Sequence, residues 1–243
     1  MQLICGMHRS GTSLVAQIAF SAGADFGDCK DFWPADAWNP SGYYEQKDII
    51  TVNKKLINGR LGKAHYLHPP SQALISKRAD KCSAELKLLA LKYSNKVVKE
   101  NRFCMTLDEW LKVGANVTRI LVVIRDPASV ARSLRKRNHI PAVVSNRLWY
   151  EHLNRLENSI MQIPRQYLWF DEFVHSPAGT HSGLKKLAWL TGLNTDVLQE
   201  ASNGMIRYSN NASQPLSNRL NSKVYDLYRG LVLKTNIDGE VIP

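Results

Sequence analysis

Gln2-Leu3-Ile4-Cys5-Gly6-Met7-His8-Arg9-Ser10-Gly11-Thr12-Ser13 decides how the chain is read. Gln2 to Cys5 reads as a strand and Gly6 to Gly11 as a loop. Thr12 to Ala22 reads as a helix, with Leu14, Val15, Ile18 and Ala19 on one face and Gly23 at its end. Glycines at both ends of the loop let the backbone wrap closely. Its N–H groups can then converge on an anion at the helix N-terminus.

Outward from this stretch, short apolar runs alternate with helix-length segments. Asp25 to Gly42 is rich in Gly, Pro, Asp and Asn, carries Trp33 and Trp38, and reads as a long loop of the kind that often serves as a lid. Helical patterns are predicted over Tyr44–Asn58, Gln72–Tyr93, Leu107–Val113, Pro127–Arg137, Pro141–Met161 and Gly183–Thr191. Strands are predicted over Lys96–Lys99, Arg119–Ile124 and Tyr167–Phe170. This alternation implies an α/β fold, a three-layer P-loop-like arrangement with a central, mainly parallel sheet flanked by helices, in one domain spanning residues 1–243. Ligands of such sheets bind at the carboxyl ends of the strands, which here follow Cys5, Lys99, Ile124 and Phe170.

Composition narrows the class. Hydrophobic residues make up 44% of the 243 positions and charged residues 22%, which excludes a disordered tail, a collagen-like repeat and a coiled coil. The net charge of +11 asks for an acidic partner: nucleic acid, anionic lipid, a phosphorylated cofactor or an acidic glycan. Cys5, Cys29, Cys82 and Cys104 are spaced too irregularly for a zinc site or a disulfide framework, as in a reduced protein. With no signal-peptide pattern, and no aliphatic run longer than Ile120–Ile124, the expectation is a soluble cytoplasmic protein. Peripheral contact with a membrane stays open.

The loop glycines have the P-loop spacing, but Thr12 stands where a nucleotide hydrolase or kinase has its phosphate-gripping lysine, and Arg9 supplies the cation instead. A second element answers it. The strand Ile120–Ile124 runs into Arg125-Asp126-Pro127 and a helix carrying Ser133, so Arg125 points into the crevice beyond the strand. An Arg–Asp structural pair is the alternative reading.

Together these elements resemble the sulfotransferase superfamily, whose members use 3′-phosphoadenosine 5′-phosphosulfate (PAPS). Gly6 to Leu14 is similar to its loop for the 5′-phosphosulfate in bacterial members. Arg125 and Ser133, eight residues apart, are similar to its 3′-phosphate site. Lys99-Glu-Asn-Arg102 resembles a Lys-Asp-Pro-Arg segment of those members. Leu168-Trp-Phe-Asp-Glu-Phe with Leu187 to Leu193 resembles their C-terminal strand and helix. The resemblance covers roughly 1–193. It implies transfer of a sulfuryl group to an acceptor hydroxyl or amine with release of 3′-phosphoadenosine 5′-phosphate (PAP).

In that reading, backbone N–H groups of Ser10, Gly11, Thr12 and Ser13 hold the 5′-phosphate. Arg9 binds the bridging or sulfonate oxygens, Arg125 and Ser133 hold the 3′-phosphate, and Lys99 sits near the transferring group. No metal is called for, because side chains supply the cations.

Asn39 to Asp48 resembles a segment that carries an acid in bacterial members, which makes Glu45 the preferred general base and Asp48 the alternative; both could instead be first-turn acids of a helix. Cytosolic members use a His two residues after the strand-end Lys, where this chain has Asn101. Arg102 binds the acceptor or pairs with a carboxylate. His8 reads as structural rather than as a sulfate contact, and His65 and His68 lie in a loop that could border the acceptor. Trp33 and Trp38 stack on a sugar, roof the pocket or pack in the core. Phe170 stands where relatives have a Tyr against adenine. Arg132, Arg135, Lys136, Arg137 and Arg147 form a basic face that no helix-turn-helix, RNP or zinc pattern accompanies, which disfavours nucleic acid.

Overall fold

A computed structural model describes residues 1–58, 67–206 and 221–235. Four strands, β1 (Gln2–Cys5), β2 (Val97–Lys99), β3 (Arg119–Ile124) and β4 (Arg165–Trp169), form one sheet in the order β2-β1-β3-β4. Every pairing is parallel, with Leu3 opposite Val98 on one side and Ile120 on the other. Chain connections from β1 run first to β2 and then back across to β3. The strand order therefore reverses at β1, and a crevice opens at the carboxyl ends of β1 and β3.

The strands are mainly apolar because both faces are covered, with polar residues at their ends and in the first half of β4. Side chains alternate, so Leu3, Cys5, Val98, Ile120, Val122 and Ile124 enter one core while Ile4, Val97, Leu121 and Val123 enter the other. The first core is closed by α2 (Lys47–Asn58), α3 (Gln72–Asp80), α4 (Ser83–Lys92), α5 (Phe103–Lys112), α6 (Pro127–Asn138), α7 (Ala142–Ser159) and α11 (Ser222–Thr235). The second is closed by α1 (Thr12–Ser21), α8 (Phe170–His175), α9 (Pro177–Thr191) and α10 (Thr195–Ser202). The result is the three-layer α/β arrangement expected. No helix among the described residues is long and apolar enough to cross a membrane.

Four predicted helices differ, two of them by beginning earlier than read: α5 at Phe103 rather than Leu107 and α9 at Pro177 rather than Gly183. The Tyr44–Asn58 helix starts only at Lys47. Tyr44 has a left-handed φ of 57°, Trp33 N–H donates to the Glu45 carbonyl at 2.7 Å, and Phe32 bridges Gln46, so Glu45 and Gln46 belong to the preceding loop. The Gln72–Tyr93 segment is two helices, because Cys82 leaves helical dihedrals at φ −112° and ψ 10°. Each piece buries its own pair, Ile75 with Ala79 and Leu86 with Ala90. Phe170, read as a strand end, begins α8.

Gly11 is fixed by geometry on two counts. Its φ of 89° is left-handed, and a Cβ there would lie 2.1 Å from the Phe170 ring. Gly11→Ala is expected to lower unfolding free energy by about 1–3 kcal/mol or more. In a double-mutant cycle with Phe170→Ala the two losses should fall short of additive by about 1 kcal/mol or more. Strict additivity in denaturant titrations would show that the ring does not set this constraint.

Candidate functional site

The loop after β1 is shaped by close approach. A Cβ on Gly6 would sit 2.4 Å from the Val123 carbonyl of β3, and Ser10 N–H closes a tight turn onto the Met7 carbonyl at 3.1 Å. Gly11 caps α1 and offers its carbonyl to the N–H groups of Leu14 and Val15. The N–H groups of Gly11, Thr12 and Ser13 donate to no acceptor among the described residues. They form the open amino end of α1, where an oxyanion is favoured.

Three strand ends converge on this nest. From β3, Arg125 donates through Nη1 to the Arg9 carbonyl at 3.0 Å and lies 3.6 Å from Asp171 through Nε. Its guanidinium rests over the Phe170 ring at 5.2 Å. Asp171 also accepts the Asp126 N–H at 2.8 Å, and Asp126 caps α6 through Ser129 N–H. Burial pushes the Asp126 carboxyl up, the Ser129 N–H opposes this, and Asp171 adds to the rise. Arg9 has a left-handed φ of 71° and donates through Nε to Ser133 Oγ at 2.9 Å. Arg9, Arg125 and Ser133 therefore stand together, with Arg9 directed at the proposed 3′-phosphate pair rather than over the nest.

From β2, Lys99 is 1% exposed and donates to Glu45 Oε1 and, at 3.4 Å, to Ser13 Oγ. Burial pushes the Glu45 carboxyl up, and the Lys99 ammonium opposes the rise. Asn101 accepts from Thr12 Oγ1 at 3.0 Å and ties the β2 end to the first turn of α1. Arg102 donates to Glu100 at 2.8 Å while its side chain still faces the cavity, so it pairs with a carboxylate at the site itself.

Asp48 does not join this group. It accepts from Lys92 at 2.8 Å and Tyr93 at 3.0 Å on the outer side of α2. Once Glu45 lies outside the helix, the helical spacing that placed the two acids on one face no longer applies.

A cavity of about 790 Å³ joins these groups. Its wall includes Arg9, Lys54, Lys99, Arg102, Arg125 and Arg137 against two carboxylates, Asp36 and Glu45. The 25–42 loop supplies Trp33 and Trp38 at the rim, 37% and 46% exposed. The tip is folded on Asp36, which accepts from Tyr43 Oη at 2.8 Å and from the backbone of Trp38 and Asn39. Arg137 binds both Tyr43, at 2.9 Å, and Asp36. His65 lies outside the described residues. His68 is exposed, with Nδ1 3.4 Å from Arg147.

Sequence reading took His8 as structural and missed His152; both line the cavity. His8 meets His152 edge to face at 5.8 Å, and its Nδ1 is 3.4 Å from Asn101. Burial, then Arg102, His152, Lys99 and Arg137, holds the His8 imidazole well below its ordinary value. Asp171 was also missed, although it follows Phe170 in a quoted segment. Among the described residues no group of three or more His, Cys, Asp or Glu could hold a metal ion. Scans of the chain against protein-family models, curated proteins and solved structures find no match.

His152 titrates at about 4 against an ordinary 6.5, chiefly because it is buried. The unfolded chain therefore binds more protons between these values, and stability present above pH 6.5 is lost as pH falls toward 4. The loss from this group should reach roughly 3 kcal/mol, with His8 acting in the same direction. His152→Gln should flatten the slope of unfolding free energy over that window. An unchanged slope in denaturant titrations would remove His152 as the source.

Proposed function

We propose that the chain is a PAPS-dependent sulfotransferase. The observation that carries the reading is a second anion position beside the first. The N–H nest of Gly11, Thr12 and Ser13 suits one phosphate, and Arg125 with the Arg9–Ser133 pair forms a cluster beside it. Two separated anion positions fit a nucleotide phosphorylated at both ends of its ribose. The resemblance of Gly6 to Leu14 and of Arg125 with Ser133 to sulfotransferase segments supports the same assignment.

Glu45 is the base in this reading. Lys99 opposes the rise that burial imposes on the Glu45 carboxyl and holds it beside the nest, where it takes the proton of an acceptor hydroxyl in this reading. The acceptor oxygen then forms a bond to sulfur as the bond from sulfur to the bridging phosphate oxygen breaks. The leaving PAP keeps that electron pair. Lys99, placed between Glu45 and Ser13, neutralises charge on the bridging oxygen. Arg9, which donates to Ser133, serves the 3′ side in this reading.

PAP should raise the melting temperature in a thermal-shift assay by more than ATP does, and Arg125→Ala should erase the difference. Equal shifts with PAP and ATP, or magnesium-dependent ATP turnover, would point to a kinase or hydrolase instead. Glu45→Gln should keep the PAP shift and lower sulfuryl transfer by about 100-fold or more, the usual scale for a lost general base. Asp48→Asn should leave transfer unchanged, and full activity in Glu45→Gln would sink the base assignment.

A further inference from the structure

We propose that the face around the mouth of the cavity docks on an anionic lipid bilayer. Between Asp126 and Glu151 the chain carries Arg132, Arg135, Lys136, Arg137 and Arg147, and no acid. The fold sorts these cations. Arg132, Arg135, Lys136 and His139 fall at the spacing of one helix face, and all four are exposed. His139 caps the end of α6 with a left-handed φ of 57° and lines the cavity, so this basic stripe runs up to the mouth. Arg147 of α7 is exposed too, and it donates to the carbonyl of Leu67, another residue of the cavity wall, at 2.8 Å.

Apolar side chains stand among these cations. Trp38 and Leu67 line the cavity and are exposed. Val143 lies two residues beyond Pro141, which lines it as well, and is 82% exposed, although Val144 beside it packs against the core. Of the two carboxylates on the cavity wall among the described residues, Glu45 is buried and Asp36 binds Arg137. The face therefore joins exposed apolar groups to net positive charge. At a bilayer surface such groups insert at headgroup level while the cations meet lipid phosphates. A nucleic-acid strand would use the cations but has no use for Leu67 and Val143. Its bases would stack on open aromatic rings, whereas Lys54 lies 4.1 Å over Trp33 and Arg137 5.8 Å over Trp38. The dock does not depend on the reaction run in the cavity.

The test sediments the full chain with phosphatidylcholine vesicles that contain or lack phosphatidylserine. Binding to the anionic vesicles should be at least about tenfold tighter and should fall as salt is raised. Arg135→Glu combined with Lys136→Glu should weaken it by about tenfold or more, and Val143→Ser should weaken it several-fold, with melting temperatures recorded to show that both variants are folded. Lipids brominated on their acyl chains should quench tryptophan emission, and less so in Trp38→Phe. Leu91→Ser, which removes an exposed leucine of α4 from outside the cavity wall, should change nothing. Absent or equal binding to the two vesicles, no loss on charge reversal, or an equal loss in Leu91→Ser overturns the proposal. Binding to a single-stranded oligonucleotide without binding to the anionic vesicles overturns it in favour of a nucleic-acid surface.

Discussion

The buried pair of Lys99 and Glu45 is the interaction on which the site depends. Lys99 ends β2 inside the protein at 1% exposure, and an ammonium there is tolerable only with a partner at bonding distance. Glu45 is that partner, and it belongs to the loop that leaves α1 and crosses the mouth of the crevice. Pairing them pulls the loop down over the strand ends. The extended bridge of Phe32 to Gln46 and the left-handed Tyr44 follow from the need to deliver Glu45 before α2 can begin. One ion pair thus joins sheet, lid and the first turn of α1, which Lys99 also reaches through Ser13.

Much of this was legible in the chain, for identifiable reasons. Gln2–Cys5 and Arg119–Ile124 were placed to the residue because parallel strands covered on both faces are continuous apolar runs bounded by abrupt punctuation, Gly6 in one case and Arg125-Asp126-Pro127 in the other. Arg9, Arg125, Ser133, Lys99 and Glu45 were all singled out; four of them line one cavity, and Ser133 is bonded to Arg9 behind it. Local pattern failed where a long-range contact decides. Nothing near Tyr44 announces that a bond from Trp33 will hold Glu45 extended. The spacing of Ile75, Ala79, Leu86 and Ala90 fits one helix as well as the two that form. His8, His152 and Asn101 are far apart in sequence and share no motif, so only the fold reveals their contact.

The surplus of positive charge takes on a different meaning once positions are known. Composition left nucleic acid, lipid, phosphate and acidic glycan equally open. Four basic residues of α6 and α7 are engaged on the protein itself: Arg132 on Ser129, Arg137 on Asp36 and Tyr43, and Arg147 and Arg155 on the carbonyls of Leu67 and Pro70. A guanidinium suits this work because its fork can satisfy several acceptors at once. Of these arginines Arg137 lines the cavity, while Arg132 stands exposed on α6 beside Arg135 and Lys136.

Arg9 shows how the frame and the anion site are made one. A non-glycine residue at φ 71° costs about 1 kcal/mol or more of backbone strain and persists only where surroundings over-determine it. Here the strained backbone turns the Arg9 carbonyl to Arg125 and its side chain to Ser133. A glycine would relieve the strain but would lose the contact with Ser133, and with it the link from the loop to α6. The chain keeps the strained arginine at the point where glycine would be the conformationally easier choice. Loop, β3 and α6 are thereby fixed to one another through a single residue, which ties Arg125 and Ser133 to the loop that carries the Gly11–Ser13 N–H groups.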